Sequence, residues 1–177
     1  KEYDVYNLSR LGIPLVEIAT GPDIKSPLGA KEAAEKLEMI LRSTNKVKRG
    51  LGSIRQDVNL SIKNGARVEI KGFQEIRTIP TVVDYEIKRQ LEIFNKGEKL
   101  KSEVRKAEED GTTTFLRPMP GAARMYPETD VLVMNITQEM IDNLMIPELL
   151  DDKSEKLEKY GISKELAEIL VKKNKAE

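Results

Sequence analysis

Polar and apolar residues alternate along two short stretches in the first half of the chain. Between Gln56 and Ile62 the polar residues fall on one side and the apolar residues on the other, and the same alternation runs from Arg67 to Lys71. A period of two residues is typical of a β-strand with one buried face. Lys63, Asn64 and Gly65 lie between the stretches and are typical of a tight turn. The pattern therefore predicts a β-hairpin.

The register of this hairpin depends on the length of its loop. A two-residue loop, Asn64-Gly65, would set the apolar face of each strand against the polar face of the other. A three-residue loop with Gly65 in the left-handed position brings like faces together. The sequence thus predicts one polar sheet face on which the opposing pairs are Asp57 with Lys71, Asn59 with Glu69, and Ser61 with Arg67.

Such a face has two interpretations. Opposite charges across a sheet can be solvated ion pairs, each contributing a few tenths to about 1 kcal/mol. Alternatively, carboxylate and amide oxygens are ligands of Mg²⁺, which keeps coordination positions open for phosphate groups. The alternation by itself favours the ion-paired face.

Hydrophobic periodicity predicts the other elements. Residues 13–20 form an apolar run that is typical of a strand buried on both faces. Ser26 and Pro27 are typical of a helix start. The predicted helices are 26–42, 80–95, 138–144, 147–159 and 164–173, and the further strands are 98–105, 112–117 and 131–136. The predicted buried positions of the second helix are Val82, Val83, Ile87, Leu91 and Phe94.

Three further features are candidates for chemistry. Glu17 is the only charge in the apolar run 13–20, and burying it would require a salt bridge or a metal ion; the sequence leaves both open. The basic loop 46–52 could contact phosphate, although a plain loop is the simpler interpretation. A loop rich in arginine, tyrosine and acid follows at 117–130, and long ordered loops of this kind are more often functional than not.

The order of elements predicts an α+β fold, with a mainly antiparallel sheet and flanking helices. Charged helical segments replace the strands after residue 135. We therefore place a domain boundary near Asn135, with a first domain at 1–135 and the start of an all-helical domain at 136–177.

Composition narrows the chemistry. The 177 residues contain 30 basic and 30 acidic side chains, so no overall field indicates a nucleic acid, although a local patch can still bind one. Cysteine and histidine are absent, which excludes disulfides, thiolate catalysis and imidazole bases or ligands. Lack of cysteine suits a cytoplasmic protein, and no apolar run approaches membrane length. The chain starts at Lys1, so we expect an internal fragment.

Four segments, in order along the chain, resemble the B/E family of tRNA-dependent amidotransferase subunits. They are N-L-S-R-L-G-I-P-L-V-E-I-A-T-G-P-D-I-K-S-P, G-S-I-R-Q-D-V-N-L-S-I, R-V-E-I-K-G-F-Q-E-I-R and Y-P-E-T-D. The stretch R-P-M-P-G-A-A-R-M-Y-P-E-T-D is similar to the archaeal E branch, that of glutamyl-tRNA(Gln) amidotransferase. The bacterial B branch usually reads R-Y-F-P-E-P-D at this place. The resemblance covers nearly the whole chain.

This resemblance implies a "cradle" catalytic domain followed by a helical domain. It implies a two-step reaction in protein synthesis, in which ATP with Mg²⁺ phosphorylates the side chain of glutamate carried on tRNA(Gln). Ammonia from a glutaminase- or asparaginase-like partner subunit then displaces the phosphate. Activation is needed because a carboxylate has no competent leaving group.

The resemblance also implies site residues. The family's Mg²⁺ ligands match Glu17, Asp57 and Glu69. The second-tier residues would contact phosphate or the substrate carboxylate, or else pair structurally with the acids. They are Arg55, Asn59 and Lys71 as catalytic residues, and Lys71 and Arg77 as ATP-binding residues.

This chain departs from the family pattern in ways that matter. The family's N-terminal segment with a Glu-x-His pair is missing, and only a short link stands where the E branch carries an inserted domain, between Leu91 and Val104. We therefore expect the 177 residues alone to be inactive. The alternative function is a non-catalytic module that docks tRNA or a partner and whose sheet acids are only ion-paired.

Overall fold

The computed structural model describes residues 3–9, 12–50, 52–119 and 132–173. It contains four strands and five α-helices in these ranges, with a 3-10 turn at Ile76–Thr78. In chain order they are α1 Pro27–Ser43, β1 Val58–Leu60, β2 Val68–Lys71, α2 Ile79–Asn95, β3 Glu103–Ala107, β4 Thr113–Pro118, α3 Gln138–Asp142, α4 Leu150–Lys159 and α5 Lys164–Lys172.

The four strands form one sheet in the order β1-β2-β3-β4. The β1–β2 and β3–β4 pairs are antiparallel, whereas β2 and β3 run parallel. A parallel pair requires a crossover connection, and α2 supplies it. Two antiparallel pairings out of three, with helices beside the sheet, confirm the predicted α+β fold class.

The hairpin of β1 and β2 has the predicted register. Asn59 faces Glu69, and Val58 and Leu60 face Ile70 and Val68. The turn between the strands differs from the prediction in which residue adopts the left-handed conformation.

Asn64, and not Gly65, adopts the left-handed conformation, with φ +63°. The N–H of Gly65 closes the turn on the carbonyl of Ile62 at 2.9 Å. A Cβ on Gly65 would lie 2.5 Å from Cγ1 of Ile62 and 2.7 Å from Oε1 of Gln90. Glycine is therefore needed at position 65 for close packing and not for its dihedral angles.

The start of α1 is as predicted. Ser26 is the N-cap, its Oγ accepts a hydrogen bond from the N–H of Gly29 at 3.0 Å, and Pro27 follows at the first helical position. The Ser26 side chain thus accepts from one of the first-turn N–H groups, which have no partner within the helix, and Pro27 has no N–H to satisfy. α1 then packs against α2.

The main core lies between α2 and one face of the sheet, where Val68, Ile70, Val82 and Ala107 pack together. The predicted buried positions at the end of α2 are wrong, since Leu91 and Phe94 are about two-fifths exposed, at 43% and 44%. Two polar residues occupy the buried face in their place. The buried residues of α2 are Ile79, Val82, Val83, Glu86 and Gln90.

Two predicted strands are wrong. Residues 13–20 and the described residues 132–136 form no strand, and all of them are exposed. Leu15 and Val16, for example, are 80% and 84% exposed. An extended segment becomes a strand only when a neighbour accepts its hydrogen bonds, and neither segment pairs with a described residue.

The C-terminal helices confirm the prediction with somewhat shorter bounds. α4 packs against α5 and also contacts α1. The N–H of Leu150, in the first turn of α4, donates to Oγ of Ser43 at 3.0 Å. The boundary near Asn135 stays a prediction, and positions 120–130 of the arginine- and tyrosine-rich loop lie outside the described residues.

None of the helices in the described ranges is both long enough and apolar enough to cross a membrane.

Candidate functional site

The face of the sheet opposite α2 carries most of the polar residues singled out in the sequence. Because paired residues share a face, the strand register arranges them in two rows across the sheet. We call this surface the outer face. One row is Asn59, Glu69, Val104 and Arg117, in which Val104 is fully buried, and the other is Asp57, Lys71, Lys106 and Thr114. The β3–β4 register shifts between Val104 and Arg105, that is, between the two rows.

Lys71 lies at the centre of the charged part of the outer face. Its Nζ is 2.5 Å from Oδ2 of Asp57 and 2.9 Å from Oε1 of Glu69. All three side chains are partly exposed, Glu69 least at 20%. The structure therefore brings both predicted carboxylates of the hairpin onto a single ammonium group.

The electrostatics of Lys71 follow from this arrangement. Partial burial disfavours its charge, but the hydrogen bonds and charges of Asp57 and Glu69 outweigh burial and raise the pKa of Lys71 above its ordinary value of 10.5. Lys71 is thus a cation at neutral pH and neutralises part of the charge of the two acids.

A second charged group on this face was not assigned from the sequence. Nζ of Lys106 is 2.9 Å from Oε2 of Glu108, and Oγ1 of Thr114 donates to Oε1 of Glu108 at 2.6 Å. The hydrogen bond from Thr114, followed by that from Lys106, holds the pKa of Glu108 below its usual range. A weak signal was available, because Lys106 and Glu108 stand two apart on either side of the apolar Ala107.

The other predicted site residues lie apart from Lys71. Glu17 is exposed in the extended segment 13–20, and Arg55 is exposed just before β1. Arg77 lies in the 3-10 turn, is 78% exposed and forms an ion pair with Glu75. The structure therefore unites Asp57, Glu69 and Lys71 and does not bring Glu17 to them.

The donor set fits a divalent cation in part. The carboxylates of Asp57 and Glu69 converge on the ammonium group of Lys71, and Asn59 lies opposite Glu69. Carboxylate and amide oxygens are ligands of the kind that Mg²⁺ uses. Within the described ranges, however, no three acidic side chains are grouped closely enough to hold a metal ion. Asp57 and Glu69 are the residues that could hold one here.

A buried polar network lies on the inner side of the sheet, and the sequence reasoning missed it. The side chain of Glu86 is fully buried and accepts two hydrogen bonds from Arg89, at 2.7 and 2.9 Å, and one from Thr113 at 2.9 Å. Arg105 lies 3.4 Å from Glu86 and binds Glu103 at 2.8 Å. The network thereby ties α2 to β3 and β4.

This network fixes the strand that carries Lys106. Arg105 also donates to the hydroxyl and carbonyl oxygens of Thr113, at 2.7 and 2.6 Å, across the β3–β4 pair. Its inward position sets the neighbouring Lys106 outward, because side chains alternate along a strand. The sequence held one signal of this burial: Glu86 follows Val83 by three residues and Val82 by four, so it lies on the same face of the helix as these two apolar residues.

The fold and the outer face together define an α+β domain whose mixed sheet presents acids and lysines on one side. The chain belongs to the GatB/GatE catalytic domain family, whose family model matches residues 1–142. This agrees with the resemblance seen in the sequence motifs.

Individual relatives agree with this family, and each is the E-type subunit of a glutamyl-tRNA(Gln) amidotransferase. The chain is 34% identical to the protein from Archaeoglobus fulgidus over 93% of this chain and 48% of that protein. It is 33% identical to the protein from Methanocaldococcus jannaschii, over 94% of this chain and 48% of that protein. A shorter match, to the protein from Halobacterium salinarum, is 62% identical over 51% of this chain and 15% of that protein.

These matches also show a difference in length. The chain spans about half the length of the curated relatives it matches. The match to the Archaeoglobus fulgidus protein extends over 293 residues, more than the 177 of this chain, so that relative has additional residues within the matched region.

Proposed function

We propose that this chain is the catalytic-domain part of an E-type subunit of glutamyl-tRNA(Gln) amidotransferase. The proposed enzyme converts glutamate carried on tRNA(Gln) to glutamine, using ATP, Mg²⁺ and ammonia from a glutaminase-like partner subunit. Family membership and the E-type relatives support the class of reaction. The observation that carries the site is the convergence of Asp57 and Glu69 on Lys71.

In the proposed reaction an oxygen of the glutamyl side-chain carboxylate attacks the γ-phosphorus of ATP, and ADP leaves. Ammonia then attacks the activated carbonyl carbon, and inorganic phosphate leaves with the former carboxylate oxygen. When bound, Mg²⁺ supplies neutralisation of the phosphate charge that would otherwise repel the substrate carboxylate.

Asp57 and Glu69 are the residues proposed to hold the metal ion, with Glu17 as the third ligand inferred from the family resemblance. Lys71 occupies the position between the first two, so an entering cation must displace its ammonium group. The displaced ammonium remains on the same face, where it can bind a phosphate oxygen. Arg55, Asn59 and Arg77 complete the proposed contacts to phosphate or to the substrate carboxylate.

A second candidate function rests on the same ion pairs. If Lys71 is the permanent partner of Asp57 and Glu69, the outer face is a charged docking surface for tRNA or a partner protein. In that case Asp57→Asn and Glu69→Gln change stability through the lost ion pairs and leave the affinity for metal ions unchanged.

Titration with Mn²⁺ separates the two functions. For the metal site we expect Asp57→Asn to weaken Mn²⁺ binding about tenfold or more, a loss of roughly 1.4 kcal/mol. Lys71→Met removes the competing ammonium and should tighten Mn²⁺ binding. Glu75→Gln is the matched control, because it neutralises an exposed acid paired with Arg77 and should have no effect.

The docking function makes the opposite prediction. If Asp57→Asn and Lys71→Met both bind Mn²⁺ with the affinity of the unaltered chain, while circular dichroism shows that both are folded, the proposed metal site is wrong.

A further inference from the structure

Arg49, in the basic loop between α1 and β1, contacts the C-terminal end of α5. Nη1 of Arg49 donates to the main-chain carbonyl of Lys172 at 2.6 Å, joining two segments that are 123 residues apart. The two segments bring exposed cations together. We call the result the basic surface, and its members are Lys46, Lys48, Arg49, Lys172 and Lys173.

Hydrogen bonds restrain residues 46–50 of this loop. Nη1 of Arg42 binds the carbonyl of Lys48 at 3.0 Å, and the N–H of Lys46 donates to Oγ1 of Thr44 at 3.2 Å. Gly50 has φ +109°, a conformation that favours glycine, and its carbonyl accepts from Ser53. These contacts restrain the backbone from which Lys46 and Lys48 extend.

Acids neutralise little of this surface among the described residues. In the described part of the chain, Lys46, Lys48 and Lys173 form no ion pair, and Lys172 has only the 3.7 Å contact with Glu168 of its own helix. Like charges gathered in this way repel one another, and a polyanion relieves that repulsion. Because the net charge of the chain is zero, this local excess of positive charge does not simply reflect the overall composition.

We infer that the basic surface binds the phosphate backbone of tRNA. This inference rests on the proposed function, which names tRNA as the carrier of the substrate. Arg49 precedes Asp57 by eight residues, so the two lie at most about 29 Å apart, since an extended chain spans up to about 3.6 Å per residue. One tRNA molecule can therefore contact the basic surface while its acceptor end, which carries the glutamate, approaches the outer face.

The test is fluorescence anisotropy with a labelled tRNA(Gln) transcript, titrated with the chain at several salt concentrations. Lys46→Gln combined with Lys48→Gln should weaken binding about tenfold at low salt. It should also reduce the slope of log affinity against log salt by roughly 1.4 to 1.8, because each phosphate contact contributes about 0.7 to 0.9. Lys172→Gln combined with Lys173→Gln, on the other segment, should have a similar effect.

The matched control is Lys99→Gln combined with Lys101→Gln, which removes the same charge from the exposed link between α2 and β3. The control should retain the affinity and salt slope of the unaltered chain. The inference is overturned if the control loses as much affinity as the basic-surface variants, or if those variants bind tRNA unchanged.

Failure of this inference is distinguishable from failure of the proposed function. Mn²⁺ binding by the Lys46 and Lys48 double variant should equal that of the unaltered chain, because neither lysine contacts Asp57 or Glu69. Loss of Mn²⁺ binding together with tRNA binding would mean that the variant is misfolded, and the Lys172 and Lys173 pair would then decide the matter.

Discussion

At the scale of single residues, Lys71 determines how the outer face behaves. The alternation of the hairpin predicted its pairing with Asp57, but Glu69, two residues earlier on the same strand, binds it as well. The ammonium group between the two carboxylates reduces the electrostatic repulsion between them. The same arrangement makes Lys71 a competitor of any metal ion, which is why its removal should tighten Mn²⁺ binding.

Glu86 provides a second test at this scale. Glu86→Gln removes the buried charge on which Arg89 and Arg105 converge, and we expect the free energy of unfolding to fall by about 3 kcal/mol or more. Urea denaturation measures this loss. Glu92→Gln, the same change on the exposed side of α2, should shift stability by less than about 0.5 kcal/mol. Equal effects of the two substitutions would contradict the importance of the network.

The sequence could not have predicted this network fully. The prediction from periodicity used apolar residues alone. It therefore placed Ile87 and Leu91 on the buried face of α2, each one position after the residue that is in fact buried. The true face includes Glu86, which can be buried because Arg89 on the next turn of the helix and Arg105 on β3 satisfy its charge. It also includes Gln90, whose side-chain amide donates to Glu86 at 3.2 Å. Such partners become visible only in three dimensions.

At the scale of elements, the hairpin turn depends on Gly65. Gly65→Ala would press a methyl group against Ile62 and Gln90, and we expect a loss of roughly 1 to 3 kcal/mol from this overpacking. Asn64→Gly is the control, since glycine accepts the left-handed conformation that Asn64 adopts and should not destabilise the hairpin. Thermal unfolding distinguishes them. A larger loss for Asn64→Gly would mean that the turn is held differently.

The elements also show where sequence reasoning succeeds. Alternation with a short loop determined the register of β1 and β2, and Ser26 with Pro27 determined the start of α1, because these signals are local. The parallel pairing of β2 with β3 is not local, and no periodicity indicates it. For the same reason residues 13–20 were wrongly predicted to be a strand: apolar composition does not supply a pairing partner.

At the scale of the whole molecule, Ser43 joins α1 to the C-terminal helices. Its Oγ accepts from the N–H of Leu150, a first-turn donor of α4 that lacks a cap from Leu149, and donates to the carbonyl of Met39 at 2.8 Å. Ser43 thus acts as a cap supplied by a different helix.

Ser43→Ala should therefore loosen α4 and α5. We expect faster hydrogen exchange of their amides and a loss of about 0.5 to 2 kcal/mol, the usual cost of removing a helix cap from a part-buried donor. Exchange in the sheet should be unchanged. Ser154→Ala is the control, because the Ser154 hydroxyl is buried and has no hydrogen-bond partner among the described residues, so its removal should be neutral or stabilising. Unchanged exchange in α4 after Ser43→Ala would show that other contacts hold these helices.

The most direct measurement of the central claim is anomalous scattering from a crystal of this chain soaked in Mn²⁺. A metal ion between the carboxylates of Asp57 and Glu69, absent from crystals of Asp57→Asn, is the predicted result. A carboxylate of Glu17 brought to the same ion would add the third proposed ligand. If the unaltered chain binds Mn²⁺ only at other places, or if Asp57→Asn retains the ion between these side chains, the proposed catalytic site is contradicted.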